Sequence, residues 1–518
     1  MAVNLFTGAL SNNWAVAGNW SQLSIPTASD GHVTTFNVTS PNCTLGANRV
    51  CNAIDFTGWA GTLTMGVSAI TVSGDITFGV AGGMTISGTG GLNITATGNI
   101  TSGGFVWPNT FGFQGTSQTY TLQTDLNIGG PLSLNGTTAL TINNNGTAKV
   151  IFAGNNVSTS AAGVVGTVKI TMNGTGNLVS TAGYIAVDMD INTAGTITIG
   201  TSLRFASKTL TYITGTVDTT TNSSTLILAQ LGGTSTIINT SGITWFNVTC
   251  QTNATVTLTS DLYVSGVFNN SGVLIMNGGT IHILGSLTIG GSNNVSGTTN
   301  LKFDGASCSW TTGSGQVRLN TNVNTSGTFS LSGTCNLNSA TFSYTAGNTN
   351  TTNGVLTCVA ASTLDTGSMS FTNVTMTQGI QTLTSQLNVT DTLLLAQTTN
   401  VVFAGPSGFN VSNFVCTTNN RSVSFKAGMT YSVTNSVLTR GTGFPSLSTN
   451  SVTLQSDTVL SSAYFVVSQG STCSCLFTRA IDLDSSAGRQ MFATNGLTLR
   501  TTNWTYITPN KFFDFYGD

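Results

Sequence analysis

The chain has 518 residues with 61 Gly and 7 Pro, and charged residues make up only 6% of it, against roughly 25% in an ordinary globular protein. All 16 acidic residues are Asp, Lys and Arg total 14, and the net charge is −2. That balance offers no electrostatic footprint for nucleic acid or an anionic membrane surface, and no apolar run reaches the ~18 residues that a membrane span needs. The residues that favour helices at solvated positions are scarce, whereas Thr, Val, Ile, Asn, Ser and Gly dominate. Thr, Val and Ile suit a pleated, half-buried surface, and Gly and Asn suit tight turns. The fold class expected is all-β, with many short strands.

Residues 1–60 are expected to form an N-terminal cap and the first strands. The opening "MAVNLFTGALSNNW" lacks the charged n-region and apolar h-region of a secretory signal, which predicts synthesis and assembly in a cytoplasm. The stretch 12–36 concentrates Trp14, Trp20, Pro26, Asp30 and His32. Trp14 and Trp20 are candidates to cover the first open apolar face, with "IPTASD" as the turn into a first strand at 33–38. Trp14, Trp20 and Trp59 could stack on a sugar, but packing over the open N-terminal rung is the reading preferred. Cys43 and Cys51 could meet across a turn, which leaves one local disulfide open. The nine cysteines are odd in number and scattered through strand-like text, as buried thiols in a reduced compartment would be.

From residue 61 the text becomes periodic. Apolar pairs at i and i+2 recur as Leu63/Met65, Ile70/Val72, Ile76/Phe78, Met84/Ile86 and Leu92/Ile94. That spacing puts both side chains on one strand face. Matching Leu63 with Met84, Ile70 with Leu92 and Ile76 with Ile100 gives the rung length of a β-solenoid. Residues 61–503 are therefore expected to form an elongated β-solenoid (β-helix) with about three strands per rung, capped at both ends. Some 20 rungs at ~4.8 Å would make a rod on the order of 100 Å.

A degenerate longer repeat overlies the rungs. "LQTDLNIGGPLSL" (122–134), "LTSDLYVSGVF" (258–268), "LTSQLNVTDTLLL" (383–395) and "LQSDTVLSSAYFVV" (454–467) vary one phrase, and "VIFAGNN" (150–156), "LKFDGAS" (301–307) and "VVFAGPS" (401–407) vary a second. Within the rungs, Asp188/Asp190 and Asp482/Asp484 place carboxylates at i and i+2. This is the spacing a divalent cation or an acid/base pair would use, yet alternation with Ile, Val and Met predicts that both pairs face solvent. His282 is expected to alternate outward between Ile281 and Ile283. Cys473 and Cys475 share a strand face, but no neighbouring ligands complete a zinc site. The glycine runs match no phosphate-binding fingerprint. No catalytic residue, metal or cofactor is expected.

The tail 504–518, "WTYITPNKFFDFYGD", carries Trp504, Tyr506, Phe512, Phe513, Phe515 and Tyr516. These aromatics are expected either to fold back over the last rung or to dock into a partner subunit.

The phrase "NNW…GNWS…PTASD" (Asn13, Trp14, Gly18, Asn19, Trp20, Ser21, Pro26, Thr27, Ala28 and Asp30) resembles the opening of repetitive β-solenoid proteins. Among these are passengers of autotransporter-type adhesins and virion appendages of tailed phages. The resemblance implies a non-enzymatic surface or virion protein. An autotransporter would add a signal peptide and a membrane β-barrel, so the phage side is favoured: a tail fibre, spike or appendage subunit assembled in the host cytoplasm. Its partners would be other virion subunits and a host-surface glycan, with neither nucleic acid nor membrane insertion, and the resemblance also implies a homo-oligomer. The alternatives are a capsid-attached fibre or decoration protein, a surface-polysaccharide depolymerase, and an adhesin on a bacterial cell surface.

Overall fold

The computed structural model describes residues 2–507 except 137–138, 160–162, 181–182, 230–234, 252, 291–293 and 442–450. Among the described residues 61% are in strands and no α-helix forms; a single 3-10 turn spans Ala17–Asn19. The chain divides into two compact units, Met1–Leu262 and Tyr263–Asp518. Each is a parallel β-solenoid, and together they hold about 21 turns.

In the first unit, strand Ile70–Val72 pairs with Leu92–Ile94, which pairs with Phe111–Gly115 and so on through Leu132–Gly136. A second ladder climbs from Ile76–Thr77 through Gly98–Thr101 to Thr119–Leu122. Three such ladders per rung follow from the sequence, because each short strand ends in Gly, Asn, Ser or Asp before the next apolar pair begins. The expected register of Ile70 on Leu92 and of Ile76 on Ile100 is the observed one. Leu63, however, pairs with Ile86 rather than Met84. Met84 is still buried, but it fills a corner just ahead of the strand, so an inward side chain there does not mark the phase of the ladder.

In the second unit, Thr280–Ile283 pairs with Asn300–Phe303, then with Thr321–Leu337, Thr341–Cys358, Ser362–Asp365 and Gly379–Leu383. Inward residues form columns in register, such as Leu337, Cys358, Met376, Leu395 and Cys416. Every member of that column is 0% exposed. Each buried Leu, Ile or Phe contributes on the order of 1.5–3 kcal/mol, and stacking rung on rung shares that burial along the unit.

Both repeated phrases have structural meaning. In three copies of the first, the same positions enter the core: Leu122, Leu126 and Ile128; Leu258, Leu262 and Val264; Leu383, Leu387 and Val389. The fourth departs, since Leu460 is 78% exposed. In the second phrase the glycine sits beneath a carbonyl of the preceding rung. A Cβ would lie 1.9 Å from the Gly130 carbonyl oxygen at Gly154, 2.0 Å from that of Leu284 at Gly305, and 2.4 Å from that of Leu383 at Gly405.

All nine cysteines are free thiols, so the Cys43–Cys51 disulfide is not formed. Cys43 belongs to a strand paired with Leu63 and Thr64, whereas Cys51 pairs with Val72 in a different sheet. Burial pushes the Cys51, Cys250, Cys335, Cys358, Cys416 and Cys475 thiols up to about 12.

Candidate functional site

The N-terminal residues singled out by sequence gather into one aromatic cluster. Trp14 and Trp20 are 0% and 1% exposed and meet edge-on at 4.9 Å. Phe6 and Phe36 pack against both tryptophans or one of them, and Phe36 stacks on Phe56 at 5.1 Å. Trp59 is equally buried and donates its Nε1–H to the Ser40 carbonyl at 2.9 Å, so it offers no platform for a sugar. The cluster is held by Asn19, which is 0% exposed. Its Oδ1 accepts the N–H groups of Leu10 and Ser11, both at 2.8 Å, while Nδ2 donates to Ser11 Oγ and the Asn13 carbonyl. Pro26 is buried. Asp30 closes the "PTASD" turn by accepting the N–H of Thr27 at 2.8 Å and of His32 at 2.9 Å. The chain does not wait for that turn to begin pairing, because Ala2–Leu5 already lies parallel to His32–Thr35.

The two Asp pairs differ from each other. Asp188 and Asp190 do alternate with core residues on Ile185–Ile199 and are half-buried. Asp190 pairs with Lys169 at 3.1 Å, and Asp188 accepts the Thr209 N–H. Asp482 and Asp484 do not share a strand face, which corrects the expectation from spacing. Asp482 has φ +52° and forms the turn between Thr478–Ile481 and Leu483–Asp484. It is 4% exposed and takes both prongs of the Arg500 guanidinium, at 2.6 and 2.7 Å. That hydrogen bonding holds the Asp482 carboxyl below the usual carboxylate range. Cys473 lies 3.5 Å from Met491 Sδ, and no group of three metal-ligating side chains exists among the described residues.

Of the six C-terminal aromatics, Trp504 turns inward, lies tilted at 44° against Phe465 and donates Nε1–H to Ser485 Oγ at 2.8 Å. Tyr506 is 44% exposed. Phe512, Phe513, Phe515 and Tyr516 lie outside the described residues.

The arrangement with most chemical content lies on the outer face of the second unit. His282 does point away from the core formed by Ile281 and Ile283, but it is only 9% exposed, so outward does not mean solvated. Tyr263 stacks on its ring at 4.3 Å and 17°. Asp304 Oδ2 lies 2.7 Å from His282 Nδ1 and 3.2 Å from Lys302 Nζ. Beside this group runs a groove of about 260 Å³ lined by Thr280, Asn300, Lys302, Asn320, Asn322, Thr341 and Ser343, with Leu301 and Thr321 at its base. A second hollow of about 350 Å³ shares Asn320 and Thr341 and continues to Ser362, Thr363 and Thr382. Sequence reading missed Tyr263, Lys302, Asp304 and these outward Asn and Thr positions, because their neighbours lie a full rung away.

Sequence reading also missed a duplicated corner. In the first unit, Thr193 Oγ1 accepts the Gly195 N–H at 3.1 Å and donates to the Gly174 carbonyl, while the Tyr212 hydroxyl donates to the Gly215 carbonyl. In the second, Thr325, Gly327, Gly305, Tyr344 and Gly347 repeat every one of those bonds. The signal was present in "INTAGT" with "TYITG" (191–196, 211–215) against "VNTSGT" with "SYTAG" (323–328, 343–347). No protein family, curated protein or solved structure matches the chain.

Proposed function

We propose that the chain is a structural subunit of a phage-like virion, serving in a tail fibre, spike or other appendage for assembly and host-surface attachment. The observation that carries this reading is the stacked parallel solenoid itself, whose outward positions are largely Thr, Asn and Ser. Such ladders make a stiff scaffold and present hydrogen-bonding groups at a regular interval. The acids that a depolymerase reading would draw on serve the fold instead: Asp190 is committed to Lys169 and Asp482 to Arg500. Copies of the same chain and other virion subunits are the partners this reading implies.

Labelling particles from the source culture with antibody against the purified chain tests the proposal. Gold at fibres or spikes of tailed particles is the expected image. Label confined to cell envelopes, with bare particles, would move the assignment to a surface adhesin, and label spread evenly over capsids would move it to a decoration protein.

A further inference from the structure

We infer that the outer groove of the second unit is a binding site for a linear, uncharged glycan lying along the stack of rungs; this rests on the attachment reading above and gives it an address. One wall is a column of Thr280, Asn300, Asn320, Thr341, Thr363 and Thr382, in register where Thr280 meets Asn300 and where Thr341, Thr363 and Thr382 succeed one another. The other wall is Lys302, Asn322 and Ser343, again in register. Asn300 and Lys302, and Thr341 and Ser343, are i and i+2 positions of one strand each and so face outward together, and the shared residues Asn320 and Thr341 make the two hollows one continuous trough.

The chemistry selects the ligand. Hydroxyls and amides both donate and accept, and they recur every rung at ~4.8 Å, which suits a polymer carrying hydroxyls at regular intervals. Lys302 is the single charged residue lining the trough, and its ammonium is engaged by Asp304. A nucleic acid or an acidic polymer would need free positive charge. A peptide adding as a strand would need open backbone edges, whereas the strands at the base are paired on both sides. Ala361 and the 52% exposed Ile380 give the second hollow an apolar surface beside its polar wall, and the C–H face of a sugar ring can rest on such a surface.

Affinity electrophoresis of the full chain through gels containing dextran, hydroxyethyl cellulose, glycol chitin or yeast mannan tests this. Retardation is expected in at least one gel. The double variant Asn320→Ala/Thr341→Val removes two hydrogen-bonding side chains from the first wall, at the point the two hollows share, and should weaken that retardation about tenfold or more. Thr363→Arg, which fills the trough from its rim, should do the same, while Thr288→Ala, on another outward strand, should migrate as the parent does. Circular dichroism of each variant checks that the fold is kept. Retardation unchanged in both trough variants overturns the site, and free migration in all four gels overturns the neutral-glycan assignment. Either failure leaves the gold-labelling result to decide the virion role on its own.

Discussion

Asn19 shows how one side chain can organise a segment. All four hydrogen bonds of its side-chain amide go to the loop between Leu10 and Asn13, and it is fully buried. Asn19→Ala strands two N–H groups and a carbonyl, each costing on the order of 1–3 kcal/mol when buried. A fall in denaturation free energy of at least ~2 kcal/mol is expected by urea titration, and an unchanged midpoint would contradict this role. The Asp482–Arg500 pair gives a pH signature. Hydrogen bonding by Arg500 lowers the folded-state pKa of Asp482 below its ordinary value, so its stabilisation is fully present above the unfolded pKa of about 4. It is lost as pH falls through the lower folded value. The Tm gap between the parent and Asp482→Asn should therefore be constant near neutrality and close below about pH 4. Thiol chemistry adds a third residue-scale expectation. Eight of the nine free cysteines are buried, and Cys473 is the exception. A disulfide reagent at pH 8 should label Cys473 first by peptide mapping, and the remaining eight only in denaturant.

At the scale of strands and corners, close contact between rungs sets the rules. Gly305 has no room for a Cβ beside the Leu284 carbonyl, and Gly154 and Gly405 meet the same constraint. In the duplicated corners, Gly215 and Gly347 have φ of +116° and +124°, and a Cβ would lie 2.5 and 2.3 Å from the methyls of Thr193 and Thr325. Gly215→Ala and Gly347→Ala should each destabilise by about 1–3 kcal/mol, and by similar amounts, since the two corners share every contact described. A large cost at one and none at the other, measured by urea titration, would break the equivalence.

Much of this level was legible in sequence. The i, i+2 pairs located the strands, and two of three proposed rung registers were right, because an apolar pair between turn residues has one way to face a core. Leu63 was misplaced because corners also bury side chains, as Met84 does. The burial of His282 was not legible either. Alternation tells which way a side chain points, but what covers it depends on the register of strands some 20 residues away, here those bearing Tyr263, Lys302 and Asp304.

For the molecule as a whole, low charge and repeated outward hydroxyls and amides belong together. With a net charge of −2 and a trough whose lysine is already paired, recognition of a glycan should be nearly insensitive to ionic strength. Each compact unit supplies its own stacked core, and the outer face inherits the register of that core. The central claim is that outward residues of one rung stand directly over those of the next. Engineered disulfides test it most directly. Thr341 and Thr363 are partners in adjacent rungs, and Thr363 and Thr382 are partners in the next pair. Adjacent Cα atoms in a parallel ladder lie ~4.8 Å apart, within disulfide reach, whereas two rungs span nearly 10 Å and exceed it. Mild oxidation should therefore close Thr341→Cys/Thr363→Cys and leave Thr341→Cys/Thr382→Cys as free thiols, read by mass spectrometry of the linked peptides. A closed Thr341→Cys/Thr382→Cys pair beside an open Thr341→Cys/Thr363→Cys pair would contradict the stacking.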